Sequence, residues 1–154
     1  MIDLSDNVQV ILDQLSFKHR TIDKNTFIIT KDGCRYNVFL ESLPEVRIER
    51  TELLDYFEWH DSIQFAQCAA YYVNDTPCLA FVLVDEHQKV VRFREEFSAK
   101  TGWALGVQIY QGLAEIDQTV EAFREACSVD EDLYKLRLEE LYQQELIKEL
   151  NNEL

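Results

Sequence analysis

The side chains that could do chemistry in this sequence are few and scattered. Glu41 closes the run Tyr36-Asn37-Val38-Phe39-Leu40-Glu41. Two-metal cleavage of a phosphodiester needs clustered carboxylates, and a nearby lysine often assists. The position two residues after Glu41 is Leu43, not lysine. Asp85-Glu86-His87 and Asp130-Glu131-Asp132 are acidic clusters of the kind that attract divalent cations, but neither fits the twelve-residue calcium loop. A solvated turn and a helix start account for them. His60 lies beside Asp61 with Glu58 nearby, a setting for a general base or a ligand pair. No Ser, Cys or second His is placed to complete a triad. His19, between Lys18 and Arg20, reads as surface. Cys34, Cys68, Cys78 and Cys127 are widely and irregularly spaced with no C-x-x-C, so buried reduced thiols are expected rather than a zinc cluster or redox pair. No catalytic, cofactor-binding or metal-binding residue is assigned.

The elements that would position any site can be read from periodicity. Ser5 or Asp6 can cap a first helix, in which Val8, Ile11, Leu12 and Leu15 form one apolar face. Three strand-like runs follow, Thr26–Thr30, Arg35–Leu40 and Glu45–Arg50. Asp32-Gly33 joins the first two, and such a pair marks a hairpin because both central residues must tolerate φ > 0. Thr51–Trp59 is dense in large apolar groups and reads as a short helix or an irregular crossover. A helix from Asp61 or Ser62 to about Val73 is apolar over much of its circumference, which predicts burial on two sides. Cys78–Val84 is apolar throughout, as a strand covered on both faces would be. It turns through Asp85–Gln88 into Lys89–Phe93, and Arg94–Gly102 reads as a polar connection. Trp103–Ala126 carries Ile109, Leu113, Ile116, Val120 and Phe123 at helical spacing. Ser128–Leu154 opens with acids suited to a helix N-terminus and reads as an appended helix without a clean heptad.

Composition narrows the class. The chain has 154 residues, of which 47% are hydrophobic and 12% aromatic, as in an ordinary folded domain. We read residues 1–127 as one domain and 128–154 as its appendage. A net charge of −14 repels phosphate backbones and argues against nucleic acid as a partner. Most of that excess lies from Thr51 onward. No apolar run approaches the length of a membrane span. The start, Met1-Ile2-Asp3-Leu4-Ser5-Asp6, has neither a basic nor an apolar targeting region. A cytoplasmic location is the expectation.

The segment from about Asn25 to Ala126 resembles the type III secretion chaperone-like fold, in particular the bacterial YbjN family. The matching residues are Asp32, Gly33, Tyr36 and Val38 in the first hairpin, Val46-Arg47, Asn74 at a helix end, and Asp85 or Glu86 through Val90, Val91, Arg92 and Arg94. The resemblance implies an α+β fold in which an antiparallel sheet, a three-stranded meander plus a hairpin, packs with helices. It also implies a homodimer without catalysis that binds a protein client or a regulatory partner. The helix after Ser128 has no counterpart in that pattern.

The resulting expectation is a non-enzymatic protein-binding module, chaperone-like or a regulatory adaptor, acting as a small acidic dimer without cofactor. Leu53, Leu54, Tyr56, Phe57 and Trp59 are the candidate partner-binding residues, because aromatics in a poorly periodic segment can line an exposed groove. The alternative is a degenerate, inactive restriction-endonuclease-like domain built around Glu41.

Overall fold

The structure, a computed structural model, describes residues 10–57, 63–76, 80–127 and 131–153. It is an α+β fold: one six-stranded antiparallel sheet packed with helices and followed by a C-terminal helix. A short helix, α1 (10–14), precedes four strands in meander, β1 (Lys18–Asp23), β2 (Thr26–Lys31), β3 (Cys34–Ser42) and β4 (Glu45–Leu53). A 3₁₀ turn (Leu54–Tyr56), α2 (Ile63–Asn74), β5 (Phe81–Asp85), β6 (Val90–Ser98), α3 (Gly102–Cys127) and α4 (Glu131–Glu153) complete the chain. The strand order is β1-β2-β3-β4-β6-β5, so α2 carries the chain past β6 to the far edge.

The Asp-Gly hairpin forms as its chemistry requires, with φ of 53° at Asp32 and 78° at Gly33. The α3 stripe is core: Ile109, Leu113, Ile116, Val120 and Phe123 are all buried. Thr101 caps that helix, its Oγ1 accepting from the Ala104 N–H at 3.1 Å. Phe57, Phe93 and Phe123 meet in a cluster with ring centroids 4.9 to 6.0 Å apart. Cys68 and Cys127 are buried, and burial pushes the Cys127 thiol up to about 12.

Four expectations need correction. The meander has a fourth strand, β1, whose sequence KHRTID lies mostly exposed at the sheet edge and so carries no apolar alternation. β4 runs on through Leu53, because Thr51, Glu52 and Leu53 pair with Arg92, Val91 and Val90. β6 continues to Ser98 rather than ending at Phe93, because Arg94 to Ser98 pair with Glu49 to Glu45. Finally, β5 is an edge strand covered on one face only: Val82 is buried while Phe81 and Leu83 are exposed. The helix read as buried on two sides, α2, buries Ala66, Ala69, Ala70 and Val73 in the core and Cys68 on its other side, between the exposed Tyr71 and Tyr72.

At Gly112 α3 lies close against the sheet. A Cβ there would lie 3.1 Å from Ile48 Cδ1. Gly112→Leu therefore forces helix and sheet apart and is expected to lower stability by about 1–3 kcal/mol, the usual range for overpacking. Urea denaturation checks this, and a variant as stable as the parent would refute it.

Candidate functional site

The residues singled out between β4 and α2 divide between core and surface. Leu54 and Phe57 are buried, because the 3₁₀ turn folds them inward, Phe57 onto Phe93 and Phe123. They cannot line an exposed groove, which corrects that part of the expectation. Tyr56 is exposed, with the Arg124 guanidinium 5.0 Å from its ring centroid. Leu53 is 64% exposed. Trp59, together with His60, Asp61 and Glu58, lies outside the described residues.

The chemistry-bearing candidates are also structural. Asp85 Oδ1 accepts from the backbone N–H groups of His87 and Gln88 at 3.0 and 2.9 Å, and Oδ2 accepts from Arg92 at 2.9 Å. The Gln88 amide and then Arg92 hold this carboxyl below its usual range. It closes a turn. Glu41 stands near Glu45 and Glu96 at the β3–β4 end of the sheet. Among the described residues no group of His, Cys, Asp and Glu is placed to hold a metal. His19 Nε2 lies 2.6 Å from Asp13 Oδ1, tying β1 to α1.

Sequence reasoning missed a buried polar cluster. Tyr36 on β3 and Arg50 on β4 face the helices, and both hydrogen-bond Asp117 of α3. Lys31 Nζ reaches Asp117 Oδ2 at 2.9 Å, and Arg50 Nε reaches Glu52 at 2.8 Å. Burial, and then the Asp117 carboxylate, raise the Tyr36 hydroxyl well above the ordinary tyrosine range, so it stays a neutral donor. The signal was in the alternation: Val46, Ile48 and Arg50 share a face, and that face is core. With its donors matched, the cluster is a fastening between sheet and helix.

The surface that remains available is the other face of the sheet. One row crosses all six strands: Arg20, Ile28, Asn37, Glu49, Arg94 and Phe81 are successive cross-strand partners. Beside it run Thr51–Arg92–Leu83 and Thr26–Phe39–Arg47–Glu96. The described helices pack on the opposite face, through Tyr36, Ile48 and Arg50. Strand alternation thus gathers five of the eight arginines of an acidic chain on the open face: Arg20, Arg35, Arg47, Arg92 and Arg94. Glu49 sits between Arg92 and Arg94 at 3.6 and 3.1 Å and is largely covered by them. The apolar members cluster at the β5 side, where Phe81 is 53% and Leu83 40% exposed and Leu53 joins them at the end of β4.

The outer edge of β5 is less available than its face. Asn74 donates to the Val82 carbonyl at 2.8 Å and accepts from the Val82 N–H at 2.7 Å, in the manner of a neighbouring strand. Thr119 Oγ1 accepts from the Ala80 N–H at 2.8 Å. Side chains from α2 and α3 so occupy the backbone groups that an added strand would need.

Among the described residues no helix is long and apolar enough to cross a membrane. Comparison of the sequence with protein-family descriptions and with curated proteins finds no match. In fold the chain is similar to a solved structure, the crystal structure of an uncharacterized protein from Methanothermobacter thermautotrophicus. The two share 10% sequence identity with a TM-score of 0.54, over 82% of this chain and 100% of that one.

Proposed function

We propose that this chain is a non-enzymatic protein-binding module, chaperone-like or adaptor-like, that acts as a small acidic dimer and takes an extended segment of its partner across the open sheet face. The observation that carries this reading is the pairing of Phe81, Leu83 and Leu53, all exposed, with the arginine rows of the same face. Apolar anchors ringed by charged groups suit a segment with apolar and acidic side chains. Arg20 and Arg35 form no ion pair among the described residues and remain free to meet such acids. The resemblance to secretion chaperones supports a client of this extended kind.

Selection from a random peptide library tests the reading. Peptides that bind the parent chain are expected to lose at least about tenfold in affinity against Leu83→Glu, a hot-spot-sized effect. Phe81→Ser should weaken them similarly, and Leu146→Glu on α4 should not. Failure to select any peptide, or binding indifferent to Phe81 and Leu83, would sink it.

A further inference from the structure

We propose that the face made by α1 and the first turns of α3 is the interface between two copies of this chain, with Trp103 of each copy seated in the groove of the other. This rests on the dimer named in the preceding reading and assigns its surface. Trp103 is 82% exposed, the most exposed large hydrophobic residue described. It stands at the lip of a groove of about 620 Å³ lined by Ile11, Leu15, Gly102, Gly106, Val107 and Tyr110. Two glycines on one side of α3 make the groove: Ile11 packs onto both, 3.6 and 3.2 Å from where their Cβ atoms would lie. Tyr110 at the far rim stacks on Phe17. A protruding indole and an apolar recess on one patch form a self-complementary surface, which is what a twofold interface requires.

Charge decides the occupant. The chain carries −14, so two copies repel across most approaches. Residues 101–114 contain no Asp, Glu, Lys or Arg, and Asp13, the charged residue of α1, bonds to His19 and does not line the groove. A basic partner would be drawn to the acidic surface elsewhere. The neutral patch is where a second, equally acidic copy meets least repulsion. The polar lining of the groove is Gln14 and Gln111, uncharged groups that can donate to and accept from their own counterparts.

The experiment is light scattering coupled to size exclusion on the full chain, at concentrations from about 1 to 100 μM. The parent is expected at twice its 18.2 kDa mass. Trp103→Glu, which places two carboxylates across the twofold axis, should weaken the dimer at least about a hundredfold, and Trp103→Ala at least about tenfold. Circular dichroism checks that both fold. Leu146→Glu, on the exposed apolar stripe of α4, should leave the dimer intact. A monomeric parent overturns the proposal, as does a dimer that survives Trp103→Glu or dissociates on Leu146→Glu instead. So does a monomer in which Trp103, made the only tryptophan by Trp59→Phe, is shielded from acrylamide, since residues 1–9 would then fill the groove. Peptide binding sensitive to Leu83→Glu is read separately, so the sheet face and the dimer face can fail independently.

Discussion

Replacing Asp117 with alanine is expected to lower the unfolding free energy by about 3 kcal/mol. Single substitutions of this size are uncommon and come from a short set of causes, one of which is an uncompensated buried charge. Asp117 accepts from Tyr36, Arg50 and Lys31 together. Only 6% of the Arg50 side chain is accessible, so its guanidinium cannot recover the lost bond from water. Glu52 still pairs with Arg50 Nε, which holds the cost below the upper end for a broken buried pair. Asp117→Asn keeps an acceptor for Tyr36 and is expected to lose about half as much. Lys31→Ala, at the accessible side of the cluster, should cost under about 1 kcal/mol. Urea denaturation gives each value, and a cycle with Tyr36→Phe isolates the Tyr36–Asp117 coupling. An Asp117→Ala variant within about 1 kcal/mol of the parent would show that the fastening contributes little. In a chain of this length the expected loss corresponds to a drop of roughly 6–12 °C in Tm.

Where one physical pattern dominated, the fold was legible. The α3 stripe repeats at helical spacing, and Asp32-Gly33 admits few backbone choices, so both were readable from residues alone. Other elements hid because their determinants are not local. β1 is an edge strand with solvent on most sides, and its residues KHRTID alternate nothing. It exists because β2 offers an unpaired edge. The extra lengths of β4 and β6 share one cause, their pairing with each other: Thr51–Leu53 lie against Arg92–Val90, and Arg94–Ser98 against Glu49–Glu45. Neither extension is favoured by its own composition.

The candidate surface was legible only in part. Leu53 was singled out for its neighbourhood, and its exposure arises from its place at the open end of β4. Leu54, next to it, turns inward because the chain leaves the sheet there for a 3₁₀ turn. Phe81 and Leu83 were hidden inside an apolar run that reads as fully covered. The helices lie on one side only, so alternation sends Val82 inward and its neighbours out. Asp117 was masked differently. A single acid among apolar stripe positions reads as the solvated side of a helix, until Arg50 and Tyr36 meet it from the sheet.

Raising the pH from about 4.5 to 8 is expected to destabilise the protein through one side chain. Glu95 lies on the helix-covered face of β6, opposite Ile48 and beneath α3 near Gly112. It shares a hydrogen bond with Glu115 of α3, and neither carboxyl has an ion pair among the described residues. Burial first, and Glu115 second, push Glu95 up to about 8. In the unfolded chain the same carboxyl ionises near 4.5. Below that pH both states are protonated and the contact is at full strength. Between the two values the unfolded state gives up its proton while the folded state keeps one, so each step upward favours unfolding. After discount for partial solvent contact the loss is roughly 2 kcal/mol, complete by about pH 8. Asp85 works in the opposite sense, but its carboxyl is held below its ordinary value and titrates under this window. Glu95→Gln keeps a donor for Glu115 and cannot ionise. It is expected to match the parent near pH 4.5, to exceed it by roughly 2 kcal/mol at pH 8, and to flatten the profile between. Urea melts at half-unit steps separate this from the general repulsion of an acidic chain, which both proteins share. A parent profile that is flat or rising from pH 5 to 8, with Glu95→Gln no more stable at pH 8, would show that the pair is ionised and solvated after all.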